Sequence, residues 1–234
     1  MTSETSAASA SAIRLNRLRA GVLGANDGIV SVAAVVVGVA GATPQIAPII
    51  AAGVAAVVGG AISMALGEYV SVSSGRDSTA AAIVRERRDL AEQPDEELRE
   101  LTAYYESRGV SADTAERIAT ELTEADALTA HLQSEFNIDQ RDVASPWHAA
   151  WVSGLAFTLG ALLPMIAILL PPESIRIPVT FVAVLVGLGL TGALGARFGG
   201  SPMLRPTLRV LLGGALALGI TFGIGTLLGA SGAV

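Results

Sequence analysis

Apolar and polar positions fall along this chain in long blocks. Five almost uncharged stretches, about Ala20 to Gly41, Ile46 to Val72, Trp147 to Leu170, Ile177 to Ala196 and Leu208 to Leu228, each supply roughly the 20 residues that a helix needs to cross a bilayer. Between the second and third lies a polar block with helical periodicity of its own. Nothing interrupts a helix from Ile46 to Asp89, and a helix that long would measure roughly 65 Å, about twice the hydrocarbon thickness of a membrane. Its first half suits lipid and its second half water. The pattern predicts an all-α, polytopic membrane protein with five transmembrane helices and a cytosolic three-helix insert between helices 2 and 3. Four segments follow: a disordered Ser/Ala/Thr-rich tail (1–13), transmembrane helices 1 and 2 (14–76), the insert (77–142) and transmembrane helices 3 to 5 (143–234).

Within the insert, the continuation of the second span should stop near Gln93, because Pro94 fits only the opening turn of a new helix. The second helix should end at Gly109, a C-terminal cap, and the third should run from its N-cap Ser111 to about Phe136, before Asn137. Apolar stripes mark the second helix (Leu98, Leu101, Tyr105) and the third (Ile118, Leu122, Leu128, Leu132, Phe136), so the three helices should pack together.

Charge sharpens the division. Of 21 acidic residues, 17 lie between Asp77 and Asp142 with 7 of the 15 arginines, leaving about −10 on the insert and about +4 on the rest. Arg14, Arg17, Arg19, Arg197, Arg205 and Arg209 flank the spans on one side, and only Arg176, beside Glu173, lies on the other. Positive charge marks the cytosolic side, so the N-terminus and insert are expected in the cytosol, the C-terminus outside, and the chain in the cytoplasmic membrane. Trp147 and Trp151 suit an interfacial anchor, and His148 beside them reads as a surface histidine. The absence of cysteine excludes disulfides, thiolate metal sites and cysteine nucleophiles. No phosphate-binding loop, dinucleotide fingerprint or triad is present, so neither nucleotide nor nucleic acid is an expected partner and no enzyme activity is expected. Movement of any solute would have to draw on a gradient.

Candidate chemistry sits in two places. In the insert, Glu86 with Asp89 and Glu97 with Glu100 are spaced i,i+3, and His131 with Glu135 i,i+4. Glu97, Glu100, His131, Glu135 and Asp89 each lie one position before an apolar residue, so a crevice between packed helices would gather them. Several carboxylates and one imidazole suit a divalent first-row metal, whose charge relieves their repulsion. A solvated acidic face paired with Arg85, Arg87, Arg88 and Arg99 explains the same residues. In the spans, Asp27 is a carboxylate where charge is costly, which points to an ion pathway. Glu68 is similar, and Met64, one turn before it, offers a soft thioether.

The segments LRAGVLGANDGIVS, GGAISMALGEYVSVSS, ERRDLAEQPDEELRELTAYYESRGV and LRPTLRVLLGGALALGITFGIG resemble the vacuolar iron transporter family, in particular its bacterial and nodulin-like branch, over about Leu18 to Gly229. The resemblance implies a homodimer with the ion path at the subunit interface. It also implies proton-coupled export of Fe²⁺ and/or Mn²⁺ and a cytosolic metal-binding domain, with no prosthetic group. Carried over by motif, Asp27 and Met64 belong to the ion path and Glu86, Asp89, Glu97, Glu100 and Glu135 to the metal domain, with His131 where other members carry methionine. Ala56 stands where they carry a glutamate, and Asp89 where a glutamate is usual. The competing expectation is a membrane-anchored metal sensor or storage protein without transport, which has no need of Asp27.

Overall fold

The protein is described by a computed structural model over residues 21–138 and 145–232. The expected tail, Arg14, Arg17, Arg19 and the expected insert boundary at Asp142 lie outside these residues. Seven helices follow in order, with no strand among the described residues: α1 (Thr2–Ala42), α2 (Ile46–Glu92), α3 (Pro94–Ser107), α4 (Ala112–Glu135), α5 (Pro146–Leu169), α6 (Glu173–Phe198) and α7 (Leu204–Ala230). Met1–Tyr69 with Trp147–Val234 forms one compact unit and Val70–Pro146 a second, the border falling inside α2.

The first unit contains all five apolar stretches, and each of the helices α1, α2, α5, α6 and α7 is long and apolar enough to cross a membrane. In α2 that character ends near Val72, because Arg76, Asp77, Arg85, Glu86, Arg87, Arg88, Asp89 and Glu92 exclude the remainder from hydrocarbon. Helix α1 is the hub. Its Ile29, Ala33 and Val37 pack with Val184 and Leu188 of α6 and Leu218 of α7. Its Val32 and Val36, on another face, pack with Ile49 of α2 and with Phe157, Ala161 and Ile168 of α5. The outward positions are large and apolar: Ile46, Ile50, Val54, Val58, Ile62, Leu66 and Val70 on α2, and Leu204, Leu208, Leu212, Leu216, Ile220, Ile224 and Leu228 on α7. Inward approaches are made at glycine. A Cβ on Gly28 would collide with the Phe157 carbonyl of α5, and one on Gly225 with the Gly38 carbonyl of α1. Glycine is the residue that lets helix backbones meet this closely.

In the second unit α3 packs on α4. Pro94 opens α3, where its missing N–H costs nothing. Past its end Gly109 takes a left-handed φ of 89°, and its N–H bonds the Glu106 carbonyl at 2.9 Å. Ser111 caps α4 with extended backbone, but its hydroxyl donates to Thr114 Oγ1 instead of accepting an amide. The chain turns out of α4 at Asn137 (φ 51°), a residue that tolerates this conformation. One expectation needs correction. The third insert helix is not continuous, since Asp126 is extended (φ −168°, ψ 87°) and divides α4 into two segments. The apolar stripe runs through the break without a change of hydrophobicity, so periodicity does not reveal it. The stripe also omitted Ala115 and Ala119, which are fully buried. These alanines are small enough to sit against a neighbouring backbone.

Candidate metal centre

Three helices of the second unit each bring an acid or imidazole to one place. Glu86 comes from the polar end of α2, Glu97 from the first turn of α3, and His131 and Glu135 from the last two turns of α4. One potential ligand atom from each of these four lies within 4.8 Å of all the others. Glu86, Glu97 and His131 are 2%, 7% and 0% exposed, whereas Glu135 closes the group at the surface. The sequence placed these residues beside the buried stripe. The structure buries three of them, Glu86, Glu97 and His131, between the helices that carry them.

The electrostatics are those of a site short of positive charge. His131 Nδ1 lies 3.2 Å from Glu86 Oε1, 3.2 Å from Glu97 Oε2 and 3.3 Å from Glu135 Oε1. A single imidazole N–H cannot serve three carboxylates, and only Glu135 shares a hydrogen bond with it. Glu86 Oε1, Glu97 Oε2 and His131 Nε2 are all buried without a hydrogen-bond partner. Burial pushes the Glu86 carboxyl up to about 7, with Glu135, Glu97 and Asp89 adding to the rise and His131 opposing it. Burial also raises Glu97, opposed by His131 and reinforced by Glu100, Glu135 and Asp89. Orphaned buried oxygens and carboxyls pushed above the usual carboxylate range are what a divalent cation would relieve. The donor set, three carboxylate oxygens and an imidazole nitrogen, fits Fe²⁺, Mn²⁺ or Zn²⁺.

Asp89 and Glu100 are not brought into this group. Asp89 accepts from Arg88 at 3.1 Å, and Glu100 is exposed. Both remain close enough for their charge to raise Glu97. Of the four arginines that the solvated-face explanation requires, Arg88 pairs with Asp89 and Arg99 with Glu96. Arg85 lies over the Phe136 ring. None of the four buried or clustered ligand residues has an arginine partner among the described residues.

In the first unit, Asn26, Asp27 and Gly28 do three different things. Asn26 Oδ1 accepts from Thr191 of α6 at 3.2 Å, tying α1 to α6. Gly28 provides the close approach to α5. Asp27 is half-buried and accepts the Ser31 hydroxyl of its own helix at 2.9 Å. Met64 packs against the cluster around Phe157 and Ala161. Glu68 is half-buried, one residue before Tyr69, whose ring meets Trp147 with centroids 4.8 Å apart. Met64 and Glu68 lie one turn apart on α2, and among the described residues no hydrogen bond or ion pair joins either of them to Asp27. Residue-level reasoning missed Asp126, Thr129 and the Arg85–Phe136 contact. Asp126, a residue type favoured at helix starts, was the available signal.

The model of the VIT family matches residues 18–226 of this chain. Over 211 residues the chain is 42% identical to a vacuolar iron transporter of Acanthamoeba castellanii, covering 90% of this chain and 78% of that protein. It is 34% identical over 220 residues to vacuolar iron transporter homolog 4 of Arabidopsis thaliana, covering 94% and 87%. With VIT-like transporter 1b of Glycine max it shares 32% over 219 residues, covering 93% and 79%.

Proposed function

The chain belongs to the VIT family, and on that premise we propose that it exports Fe²⁺ and/or Mn²⁺ from the cytosol by proton antiport, as a homodimer in the cytoplasmic membrane. Its relatives are named as transporters, not enzymes. The N-terminus and the acidic unit face the cytosol and the C-terminus lies outside, an orientation that rests on the arginine asymmetry of the short loops.

One observation carries the reading. A chain with five membrane-crossing helices also gathers Glu86, Glu97, His131 and Glu135 into a single buried, charge-deficient cluster. In this reading the four residues hold the ion, while Asp89 and Glu100 supply surrounding negative charge that favours its capture. Asp27, Met64 and Glu68 serve the ion within the membrane, Asp27 replacing part of its hydration shell and Met64 favouring the softer Fe²⁺. Antiport is supported by carboxylates that exchange a proton for a cation.

Purified protein in proteoliposomes tests this, with Fe²⁺, Mn²⁺, Zn²⁺ and Ca²⁺ offered with and without a proton gradient. Gradient-dependent uptake of Fe²⁺ or Mn²⁺, with Ca²⁺ excluded, is the expected result. Metal binding without movement of any ion would instead make the chain a membrane-anchored sensor or store.

A further inference from the structure

The break in α4 lies five residues before His131. Its extended backbone at Asp126 is one that any residue adopts, so strain does not explain it. The side chain does. Asp126 Oδ1 accepts the Thr129 backbone N–H at 3.1 Å, and Oδ2 accepts the Thr129 hydroxyl at 2.7 Å. This is how an N-cap satisfies an amide that has no carbonyl one turn earlier. By contrast, the starts of α3, α4, α6 and α7 have no side-chain cap bond. The internal break is thus better capped than any of those helix starts.

Residues 127–135 are therefore a short helix with a start of its own, and both residues that α4 contributes to the cluster ride on it. The preceding segment is fixed separately, with Ala115 and Ala119 fully buried. The far end of the short helix is held as well. Arg85 of α2 lies 4.9 Å from the centroid of the Phe136 ring, so the residue before Glu86 grips the residue after Glu135. Asp126 itself is exposed and is not one of the four clustered residues. The Thr129 hydroxyl and amide hold its carboxyl below the usual carboxylate range, keeping it an ionised acceptor.

We propose that Asp126 is a positioning residue for the metal centre: by capping the last two turns of α4 as a separate helix, it aims His131 and Glu135 at Glu86 and Glu97. The inference rests on the metal-centre reading given above. An extended residue uncouples the two segments, so the ligand-bearing helix follows the cluster while the first segment, with Ala115 and Ala119 buried, follows its own packing. Without the cap, the direction of the first segment would dictate where residues 131 and 135 fall.

The test uses the full-length protein in detergent as wild type, Asp126→Ala and Asp126→Asn, titrated with Mn²⁺ alone. Asp126→Ala should weaken Mn²⁺ binding about tenfold or more, the scale seen when groups that orient metal ligands are removed. Asp126→Asn keeps a capping oxygen and should stay within about twofold of wild type. Because the chain lacks cysteine, spin labels at Arg99→Cys and Gln133→Cys report the placement of the short helix against α3 without metal. The label distance should change in Asp126→Ala and hold in Asp126→Asn. Wild-type behaviour of Asp126→Ala in both assays overturns the proposal, and so does an Asn variant as impaired as Ala, which would assign the effect to charge. If even wild type fails to bind Mn²⁺, the metal-centre reading falls, and the label distances alone decide whether Asp126 positions the segment.

Discussion

Replacing Glu86 by glutamine separates a buried carboxyl that needs a cation from one that is merely tolerated. In the metal-free protein this carboxyl moves from an ordinary 4.5 up to about 7, chiefly because it is buried. The folded chain then keeps a proton that the unfolded chain has released. Its contribution to stability is therefore full below pH 4.5, falls as the pH climbs from 4.5 to about 7, and levels off above that. Across the whole interval one carboxyl shifted this far costs about 3 kcal/mol. Glu97, raised for the same reason, adds a loss of the same sign. Metal reverses the trend, because the ligands bind it deprotonated. A hundredfold excess over Kd restores about 2.7 kcal/mol. The assay is urea unfolding of the full-length protein in detergent, followed by a fluorophore on Gln133→Cys so that only the acidic unit is observed. Wild type should lose stability between pH 4.5 and about pH 7 and regain it with Mn²⁺. Glu86→Gln should show a shallower slope and little gain from metal. A wild-type midpoint that stays flat over this interval, or a glutamine variant with the wild-type slope, refutes the reasoning.

Asp27→Asn should abolish transport in vesicles while leaving Mn²⁺ binding by the acidic unit intact, and a wild-type initial rate would remove Asp27 from the pathway. Met64→Ala should slow Fe²⁺ more than Mn²⁺ in the same assay, since a thioether favours the softer ion. Glu97→Gln removes a clustered ligand and should weaken Mn²⁺ binding about tenfold or more, whereas Glu100→Ala, outside the cluster, should change it only about twofold; equal effects would contradict the four-residue centre. For orientation, cysteine at Gln45 should label from outside intact cells and cysteine at Glu96 should not.

Much of this architecture was legible because hydrocarbon imposes a single composition on anything that crosses it. The five apolar stretches correspond to α1, α2, α5, α6 and α7. Helix ends were equally readable at Pro94, Gly109 and Asn137, where the backbone of one residue decides the outcome. The site was readable only to the level of candidates. Spacing along a helix places Glu97 and Glu100 equally well, and only the position of α2 across the seam buries one and leaves the other in solvent. The same limit applies to Glu86 and Asp89. The break at Asp126 was hidden for a different reason: a polar, exposed residue interrupts no hydrophobic period, and a cap bond three residues long leaves little trace in a stripe read every three or four.

The exchange of glycine and leucine between the inside and outside of the membrane unit inverts its tolerance to substitution. In water, a protein forgives change on its surface and punishes it in a core of large side chains. Here the outward residues of α2 and α7 meet a medium as apolar as themselves, so exchanges among leucine, isoleucine, valine and phenylalanine should pass almost unnoticed. Beside the side chains packed around α1, the helices are held by short backbone approaches, where one added methyl group at Gly28 or Gly225 forces two helices apart. Cohesion in this unit depends on the atoms those glycines lack.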